Sequence, residues 1–307
     1  MKKIYFILIS VISCVVNATQ PLEIVVPYSP GGATDTFARN LQRYLKDSEN
    51  VSSFVTNKPG ADGKIGSSYV MQKPVDSNTV LVAATGPMLF NKVLHADNTH
   101  DYTQFNLLVP MARTPIVIAV SNQSGITSLK EFVERAKHKP LNCGISNSAS
   151  GFAGRYIIKN LSLTNVELIT FKGAGDVLTN LLSGNIDCAF DPWSVFSSNF
   201  RNNKLNIIAT GGKDSIREHT TIPLLSQSIQ DFEFYFWFGL ATVKTNKNTI
   251  FELAKNAYKD PAMISSLKTL DYEIVAPVQD SQQFLEKEYI KFKNIKQQLD
   301  RSKLTQQ

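Results

Sequence analysis

The sequence contains few of the side chains that most often carry out catalysis or bind metal ions. Only three cysteines and four histidines occur in 307 residues. The histidines have neither metal-ligand spacing nor an obvious nucleophile partner, and the cysteines are too few and too far apart for a zinc site. The glycine signatures of nucleotide-binding loops, dinucleotide-binding folds and hydrolase elbows are also missing. We therefore expect no enzymatic activity, no catalytic residue, no metal and no cofactor.

Long apolar runs are absent too, except at the N-terminus. The first 18 residues combine two lysines, an apolar run from Ile4 to Val16 and the small-residue end Val16-Asn17-Ala18. This pattern is typical of a secretory signal peptide, and it predicts an exported, periplasmic protein. The segment from Ser10 to Cys14 also fits a lipoprotein cleavage box. A soluble form and a form with a lipid anchor on Cys14 both remain open.

The sequence also lacks a large excess of charge. The formal net charge is +6, and 19% of the residues are charged while 43% are hydrophobic. A chain of this length and composition builds substantial cores and fits two domains of ordinary size. Much of the basic character follows residue 280 without a nucleic-acid reading motif. It therefore predicts a solvated helix face and no nucleic-acid partner.

Apolar runs of strand length alternate with segments of helical periodicity along almost the whole chain. This order predicts an α/β fold with mainly parallel sheets. The predicted strands cover residues 22–26, 54–55, 79–84, 116–120, 141–145, 168–171, 186–190, 206–209 and 234–242. The predicted helices cover residues 36–45, 65–73, 129–137, 152–161, 177–182 and 249–259, followed by one that starts at 260–261 and a long one at 281–299.

Two glycine-rich loops carry the clearest functional signal. The first runs from Tyr28 to Asp35 between the first strand and the first helix, and the second runs from Asn57 to Gly66. Their glycines let a ligand approach the backbone closely. Thr34 or Asp35 is expected to cap the helix. Because a helix N-terminus presents unpaired N–H groups and a partial positive charge, an anion is the expected ligand.

A third loop, Ser146-Asn147-Ser148-Ala149-Ser150, follows the strand at 141–145 and opens another helix. The strand, loop and helix at 141–161 echo those at 22–45. Ligands of α/β sheets bind beyond the carboxyl ends of the strands. Two such ends that face one another form a cleft, in which the hydroxyls and amides of this loop suit a second carboxylate.

Together with three later motifs, the glycine loops resemble the tripartite tricarboxylate transporter receptors, also called the Bug or TctC-type solute receptors. The later motifs are Phe171-Lys172-Gly173-Ala174-Gly175, Leu181-Leu182-Ser183-Gly184-Asn185-Ile186-Asp187 and Trp237-Phe238-Gly239-Leu240. The resemblance implies a type II Venus-flytrap with two lobes and two crossover strands, near Arg113 and Glu233. It places lobe one at 19–112 and 234–307, lobe two at 113–233 and the signal peptide at 1–18.

The resemblance also implies a function. Such a receptor captures a small carboxylate, of the di- or tricarboxylate or the acidic amino acid type, and delivers it to the membrane permease subunits of a tripartite transporter. A monomer is expected. A ligand sensor for a membrane signalling protein and a periplasmic enzyme that uses the same cleft are the alternatives. The predicted ligand-binding residues are Tyr28, Gly31, Gly32, Ala33, Thr34, Asp35, Asn57, Gly60, Ala61, Gly63, Thr85, Gly86, Ser146, Asn147, Ser148, Ser150, Phe171, Lys172, Gly173 and Asp191.

The sequence departs from the family in the loop at 146–150, which has fewer glycines and no histidine, and at Phe171, where the family has Tyr. Several roles stay open. Asp35 either accepts a bond from the ligand or holds its loop, and Asp191 either lies at the cleft edge or stabilises a turn. Arg155 meets either the ligand or an acidic neighbour.

Cys143 and Cys188 lie in short apolar runs that can be neighbouring strands of one sheet. An exported protein meets an environment in which disulfides persist. A disulfide and a pair of buried free thiols are both compatible with this pattern. We favour the free thiols.

Overall fold

The computed structural model describes residues 20–74, 77–94, 105–243, 248–276, 278 and 280–304, so the predicted signal peptide and the predicted lipidation of Cys14 lie outside the described residues. The strands are β1 (Leu22–Val26), β2 (Ser53–Asn57), β3 (Thr79–Ala84), β4 (Phe105–Ser121), β5 (Leu141–Ile145), β6 (Val166–Thr170), β7 (Cys188–Pro192), β8 (Leu205–Thr210), β9 (Tyr235–Val243) and β10 (Glu273–Ile274). The helices are α1 (Ala33–Asp47), α2 (Lys64–Met71), α3 (Asn91–Leu94), α4 (Leu129–His138), α5 (Ser148–Asn160), α6 (Ala174–Leu182), α7 (Trp193–Arg201), α8 (Asn248–Lys259), α9 (Pro261–Thr269) and α10 (Ser281–Leu304).

The strands are organised in two halves, each with a parallel core. In the first half β2, β1 and β3 are parallel neighbours, and β9 pairs with β3 in the antiparallel direction. In the second half β6, β5 and β7 are parallel neighbours, and β4 pairs with β7 in the antiparallel direction. The α/β class with mainly parallel sheets is therefore confirmed. Burial on both faces explains why β1 and β3 are mostly apolar, with Glu23 and Thr79 as their polar residues.

The chain passes between the two halves within β4 and just before β9. Residues 105–115 of β4 pair with β9, whereas residues 116–121 pair with β7 and β8. On the return, the amide of Ile116 donates to the carbonyl of Phe234 over 3.1 Å, and the amide of Phe234 donates to Gly211 over 2.9 Å. We call the half that contains β1 lobe one and the half that contains β5 lobe two. The exact lobe boundaries stay a prediction.

Aromatic packing joins the two lobes on the side of the crossings. The ring of Phe90 lies 5.0 Å from Phe152 of α5 and 4.8 Å from Phe292 of α10, and Phe292 lies 5.3 Å from Phe234. All four side chains are buried. Aromatic pairs at such separations contribute about 0.5–1.5 kcal/mol each beyond the apolar area they bury. This cluster therefore holds the start of β9 against helices of both lobes.

Several local predictions need correction. Cys143 and Cys188 lie opposite one another in the β5–β7 register and form a disulfide, so the preference for free thiols was wrong. Neither Thr34 nor Asp35 caps α1, because the helix begins one residue after Gly32 and both side chains lie inside its first turn. Helix α7 was not among the predicted helices.

Helix α5 begins at Ser148, four residues before the predicted start. The Asn147 side chain accepts a hydrogen bond from the amide of Ser150 over 3.0 Å and so caps the helix. The capping box of α4 agrees with prediction, because the Ser128 hydroxyl accepts from the amide of Glu131 over 3.2 Å. Within the part of the chain that is described, no helix combines the length and apolarity required to cross a membrane.

Candidate functional site

A cavity of about 640 Å³ lies between the lobes. We call it the outer cavity. Lobe one contributes the end of β1 and the loop at 59–63, and lobe two contributes the loop after β5, the first turns of α5 and the end of β6. Because these loops follow the carboxyl ends of parallel strands, the cavity occupies the position where α/β proteins bind ligands.

A small pocket of about 30 Å³ lies beside the outer cavity and shares Tyr28, Ser29, Ser146 and Asn147 with it. We call it the inner pocket. Helix N-termini from both lobes converge here, because the lining also includes the first residues of α1 and of α6. These helices begin after Gly32 and Gly173, and neither has a side-chain cap. The first amide groups of both helices are thus available to an anion between them.

The lobes touch across the inner pocket. The hydroxyl of Ser29 donates to the carbonyl of Lys172 over 3.3 Å. A Cβ atom on Gly175 would lie 3.3 Å from the carbonyl oxygen of Pro30, and one on Gly173 would lie 3.3 Å from the Cβ of Ser29. Small residues at the start of α6 therefore permit the close approach of the first loop. The structure represents a closed arrangement of the two lobes.

Asp62 projects from the loop of lobe one toward lobe two. Its carboxylate accepts a hydrogen bond from the amide of Ser148 over 3.2 Å and a short one from the Ser148 hydroxyl. The hydroxyl of Tyr28 also donates to Asp62, over 3.4 Å. Burial, together with the negative charges of Asp62 and Asp191, raises the pKa of Tyr28, so this hydroxyl stays protonated and acts as a donor. An acid of lobe one thus faces the first turn of α5 in lobe two.

Asp35 holds its own loop. Its two carboxylate oxygens accept hydrogen bonds from Arg39, from the Asn57 side chain over 2.9 Å and from the amide of Gly31 over 3.0 Å. Desolvation raises the pKa of Asp35, but these three donors outweigh it, and the net pKa is lowered. The side chain is buried and contacts neither cavity. Of the two open roles, the geometry matches the one in which Asp35 holds the loop.

Asp191 is completely buried beneath the wall of lobe two. One of its oxygens accepts from the hydroxyl of Ser146 over 2.6 Å, and the other, Oδ2, has no hydrogen-bond partner among the described residues. Desolvation raises the pKa of Asp191 to about 7, although the Ser146 and Ser150 hydroxyls and the Ser146 amide lower it in part. The carboxyl group therefore changes its protonation near neutral pH, directly behind a residue that lines both cavities.

Arg155 supplies a positive charge to the outer cavity. Its guanidinium lies over Gly151 in the first turns of α5, with nitrogens 3.5 and 3.6 Å from the position of a Gly151 Cβ. Partial burial lowers the pKa of Arg155. Within the described ranges no carboxylate forms an ion pair with Arg155. This cation is consequently positioned for an anion that enters the cavity.

Most of the predicted ligand-binding residues come together in the cleft. Those that line the outer cavity are Tyr28, Gly60, Ala61, Gly63, Ser146, Asn147, Ser148, Phe171 and Lys172. Those that line the inner pocket are Tyr28, Gly32, Ala33, Thr34, Thr85, Gly86, Ser146, Asn147 and Gly173. Five others line neither cavity: Gly31, Asp35, Asn57, Ser150 and Asp191. Their roles in binding remain a prediction.

Several residues of the outer cavity were not selected from the sequence: Ser29, Pro59, Asp62, Ile145, Gly151 and Thr170. Their position in the same three loops, or next to them, was the available signal. Arg155 was left between two alternatives, and its side chain lines the cavity. In the described part of the chain, no group of three or more His, Cys, Asp or Glu side chains is arranged to hold a metal ion.

Comparison with known sequences identifies related proteins. The sequence model described as tripartite tricarboxylate transporter family receptor matches residues 37–301. A UPF0065 protein from the tcbD-tcbE intergenic region of Pseudomonas sp. strain P51 is 23% identical over 261 residues, which cover 82% of this chain and 78% of the relative. Protein BugT of Bordetella pertussis is 24% identical over 233 residues, which cover 73% of this chain and 71% of BugT.

Solved structures share the fold. Rpa4515 of R. palustris with adipate has a TM-score of 0.84 at 20% identity, covering 91% of this chain and 96% of its own. MatC of Rhodopseudomonas palustris with bound malate has a TM-score of 0.80 at 19% identity, covering 90% and 98%. The periplasmic binding protein BugD has a TM-score of 0.79 at 20% identity, covering 91% and 97%. The two-lobed periplasmic-binding-protein fold predicted from the sequence is thereby confirmed.

Proposed function

Because the chain belongs to the tripartite tricarboxylate transporter receptor family, we propose that it is an extracytoplasmic receptor for a small carboxylate. The ligand would be of the di- or tricarboxylate or the acidic amino acid type, and the receptor would deliver it to the permease subunits of a tripartite transporter. Related solved proteins are named with adipate and with malate, which supports the carboxylate class.

The convergence of helix N-termini on the inner pocket carries this proposal. The uncapped starts of α1 and α6 come from opposite lobes, and both line a space of about 30 Å³. That space suits a carboxylate group rather than a whole ligand. Amide groups at helix N-termini favour negative charge, and hydrogen bonds to a carboxylate are roughly twice as strong as neutral ones.

The rest of the ligand would occupy the outer cavity. There Arg155 and Lys172 supply positive charge, and Phe171 and Ile145 supply apolar surface. Closure of the lobes would exclude water from the ligand, which strengthens every charged contact inside the cleft. Among the described residues, the chain crosses between the lobes within β4 and before β9. A hinge at these crossings would permit opening and release.

The direct test is a ligand screen. The mature chain is scanned for thermal stabilisation with aliphatic carboxylic acids, hydroxy acids, tricarboxylic acids and amino acids, and calorimetry then gives the affinity of each stabilising compound. A ligand at 100 times its dissociation constant stabilises by about 2.7 kcal/mol. Stabilisation by carboxylates is expected. If no carboxylate in this panel shifts the midpoint, the receptor proposal is wrong.

Arg155→Met sharpens the screen, because it removes the cation while keeping an apolar stem of similar length. The affinity for the best carboxylate should fall about tenfold to hundredfold, since hydrogen bonds to charged groups contribute about 1.5–3 kcal/mol. Lys159→Met is the matched control, because this lysine lies one turn further along the same helix and does not line either cavity. Equal losses in both variants would contradict a direct role of Arg155.

A further inference from the structure

Asp62 is the single acidic side chain among the described residues that line the outer cavity, and the proposed function makes no use of it. It shares the cavity with Arg155 and Lys172 of lobe two. A site for plain carboxylates would gain nothing from a carboxylate in its wall, because like charges in a partly desolvated site repel one another. A ligand that also carries a positive group would be attracted both by the negative charge of Asp62 and by the positive charges of Arg155 and Lys172.

The backbone of lobe one fixes the position of Asp62. Four consecutive residues have positive φ, namely Gly60 at 121°, Ala61 at 46°, Asp62 at 53° and Gly63 at 84°. Residues other than glycine adopt this region rarely, and Asp and Asn tolerate it better than most. The tight turn places the Asp62 side chain across the cleft instead of into solvent, where a charged loop residue is ordinarily found.

Asp62 also occupies the start of α5. The amide and the hydroxyl of Ser148 both donate to its carboxylate, and the Tyr28 hydroxyl donates as well. In the closed cleft the N-terminus of α5 therefore already has an anion that belongs to the protein. This leaves the inner pocket and Arg155 as the positions for carboxylates of the ligand.

We propose that Asp62 is a specificity-determining residue that selects ligands with an ammonium group next to their carboxylates, that is, amino acids over plain di- or tricarboxylates. One carboxylate of the ligand would lie in the inner pocket. The ammonium group would approach Asp62, and a second carboxylate, where the ligand has one, would meet Arg155. This inference rests on the proposed function and names the ligand class of the same site.

The test uses matched ligand pairs that differ only in the amino group. Aspartate is compared with succinate, glutamate with glutarate, and 2-aminoadipate with adipate, each by calorimetry on the full mature chain. We expect the wild-type protein to bind at least one amino acid about tenfold or more tighter than its partner, a ratio that one favourable charged contact readily supplies. Equal or tighter binding of the dicarboxylates would overturn the proposal.

Two variants test whether Asp62 causes the preference for the amino acid. Asp62→Asn keeps the side-chain shape and tolerates the positive φ, so the preference for the amino acid should fall to within about threefold of unity. Asp62→Gly removes the side chain from the α5 N-terminus, so the preference should turn toward the dicarboxylate. An amino acid preference that is unchanged in both variants would refute the proposed role.

Asp176→Asn is the control for net charge, because this acid lies on the exposed first turn of α6 and lines neither cavity. It should keep the wild-type preference. Circular dichroism and the unfolding midpoint establish that each variant is folded. Tight dicarboxylate binding by the wild type would leave the receptor function intact and reject only the role of Asp62. Failure of every acid in the broader panel to bind would reject both.

Discussion

The walls of the cleft are built from two strand, loop and helix units of the same design. The buried carboxylates that support these two units differ in their hydrogen bonding and in the direction of their pKa shifts. In lobe one, β1 leads to α1, and Asp35 accepts bonds from Arg39, Asn57 and the amide of Gly31. In lobe two, β5 leads to α5, and Ser146 of the loop between them donates to Asp191 of the neighbouring strand β7, whose other oxygen has no partner among the described residues. The pKa is lowered at Asp35 and raised to about 7 at Asp191.

This difference indicates where ligand binding can act on the protein. A carboxylate with every oxygen satisfied gives a rigid wall of fixed charge. A buried carboxyl group with an unsatisfied oxygen can change its protonation state, and so its charge, when a ligand binds nearby. Lobe two also contributes Arg155, a cation of the outer cavity. We therefore regard lobe one as a structural wall and lobe two as the responsive one.

The largest test of this comparison removes the covalent support of lobe two. In Cys143→Ala/Cys188→Ala, the loss of a cross-link between residues 45 positions apart should lower the free energy of unfolding by about 4 kcal/mol on the chain-entropy model. Urea unfolding of the variant and the wild type measures the change. Lobe one has no disulfide in its described part, so the substitution should leave it unchanged. Limited proteolysis of the variant should therefore cut lobe two first. A loss below about 1 kcal/mol would contradict this prediction.

The next test replaces the carboxyl group that lobe two leaves unsatisfied. Because the pKa of Asp191 is raised from 3.8 to about 7, the folded protein keeps a proton that the unfolded chain loses between these values. The contribution of Asp191 to stability therefore falls as the pH rises through this window and is constant above it. Asp191→Asn removes the dependence. At pH about 8 the variant should be more stable by about 2 to 4 kcal/mol, with little difference near pH 4.

Urea unfolding at several pH values measures this second effect, and Asp187→Asn serves as the control. Asp187 lies just before the same strand, and its carboxylate accepts a bond from the amide of Asn142 near the surface. The control should lack the gain in stability at high pH. If Asp191→Asn destabilises the protein equally at all pH values, the carboxyl group acts through its hydrogen bond to Ser146 and not through its buried charge.

The sequence was sufficient for the parts of the fold that depend on local signals. The strands β1, β3 and β5 are mostly apolar and were predicted with their observed bounds. The capping box Ser128-Leu129-Lys130-Glu131 predicted the start of α4. The glycine loops and their resemblance to one family predicted the two-lobed fold. Most of the ligand-binding residues predicted in this way line the cleft.

The rest depends on contacts between distant residues, which a single sequence does not display. Asp62 meets Ser148 across 86 positions of the chain, so its place in the cleft could not be read from its own loop. The Cys143–Cys188 pair depends on the register between β5 and β7. The isolation of Asp191 depends on how completely the neighbouring strands bury it. Burial and register are global properties, and they decided each of these corrections or omissions.

The same comparison can be tested from the side of lobe one. In Asp35→Asn, the side chain keeps its shape but loses the negatively charged carboxylate that accepts hydrogen bonds from Arg39 and from the amide of Gly31. Because the pKa of Asp35 is lowered, its contribution to stability is present above about pH 4 and is lost as the pH falls through the lowered pKa. We expect a loss of about 1 to 2 kcal/mol at pH 7, since the Arg39 side chain is half exposed and its ion pair is screened.

The measurement is urea unfolding at neutral pH and at about pH 3. The loss of stability in Asp35→Asn should shrink in acid. The gain in Asp191→Asn shrinks in acid too, so the two variants are distinguished by the opposite signs of their effects at higher pH. Asp47→Asn, at the end of the same helix, is the control and should change stability little at either pH. A difference that is constant with pH would place Asp35 among uncharged structural contacts and remove the contrast between the two lobes.

The smallest test separates helix stability from ligand binding within lobe two. Ser128 caps α4, a helix that lines neither cavity, and its hydroxyl accepts from the amide of Glu131. Ser128→Ala should lower the free energy of unfolding by about 1 kcal/mol, the usual effect of losing an N-cap, and should leave the affinity for any carboxylate unchanged. Ser128→Asp, which restores a capping oxygen, should recover most of the stability. If Ser128→Ala weakens ligand binding as strongly as Arg155→Met, then lobe two responds through its overall stability and not through the charges at its cleft wall.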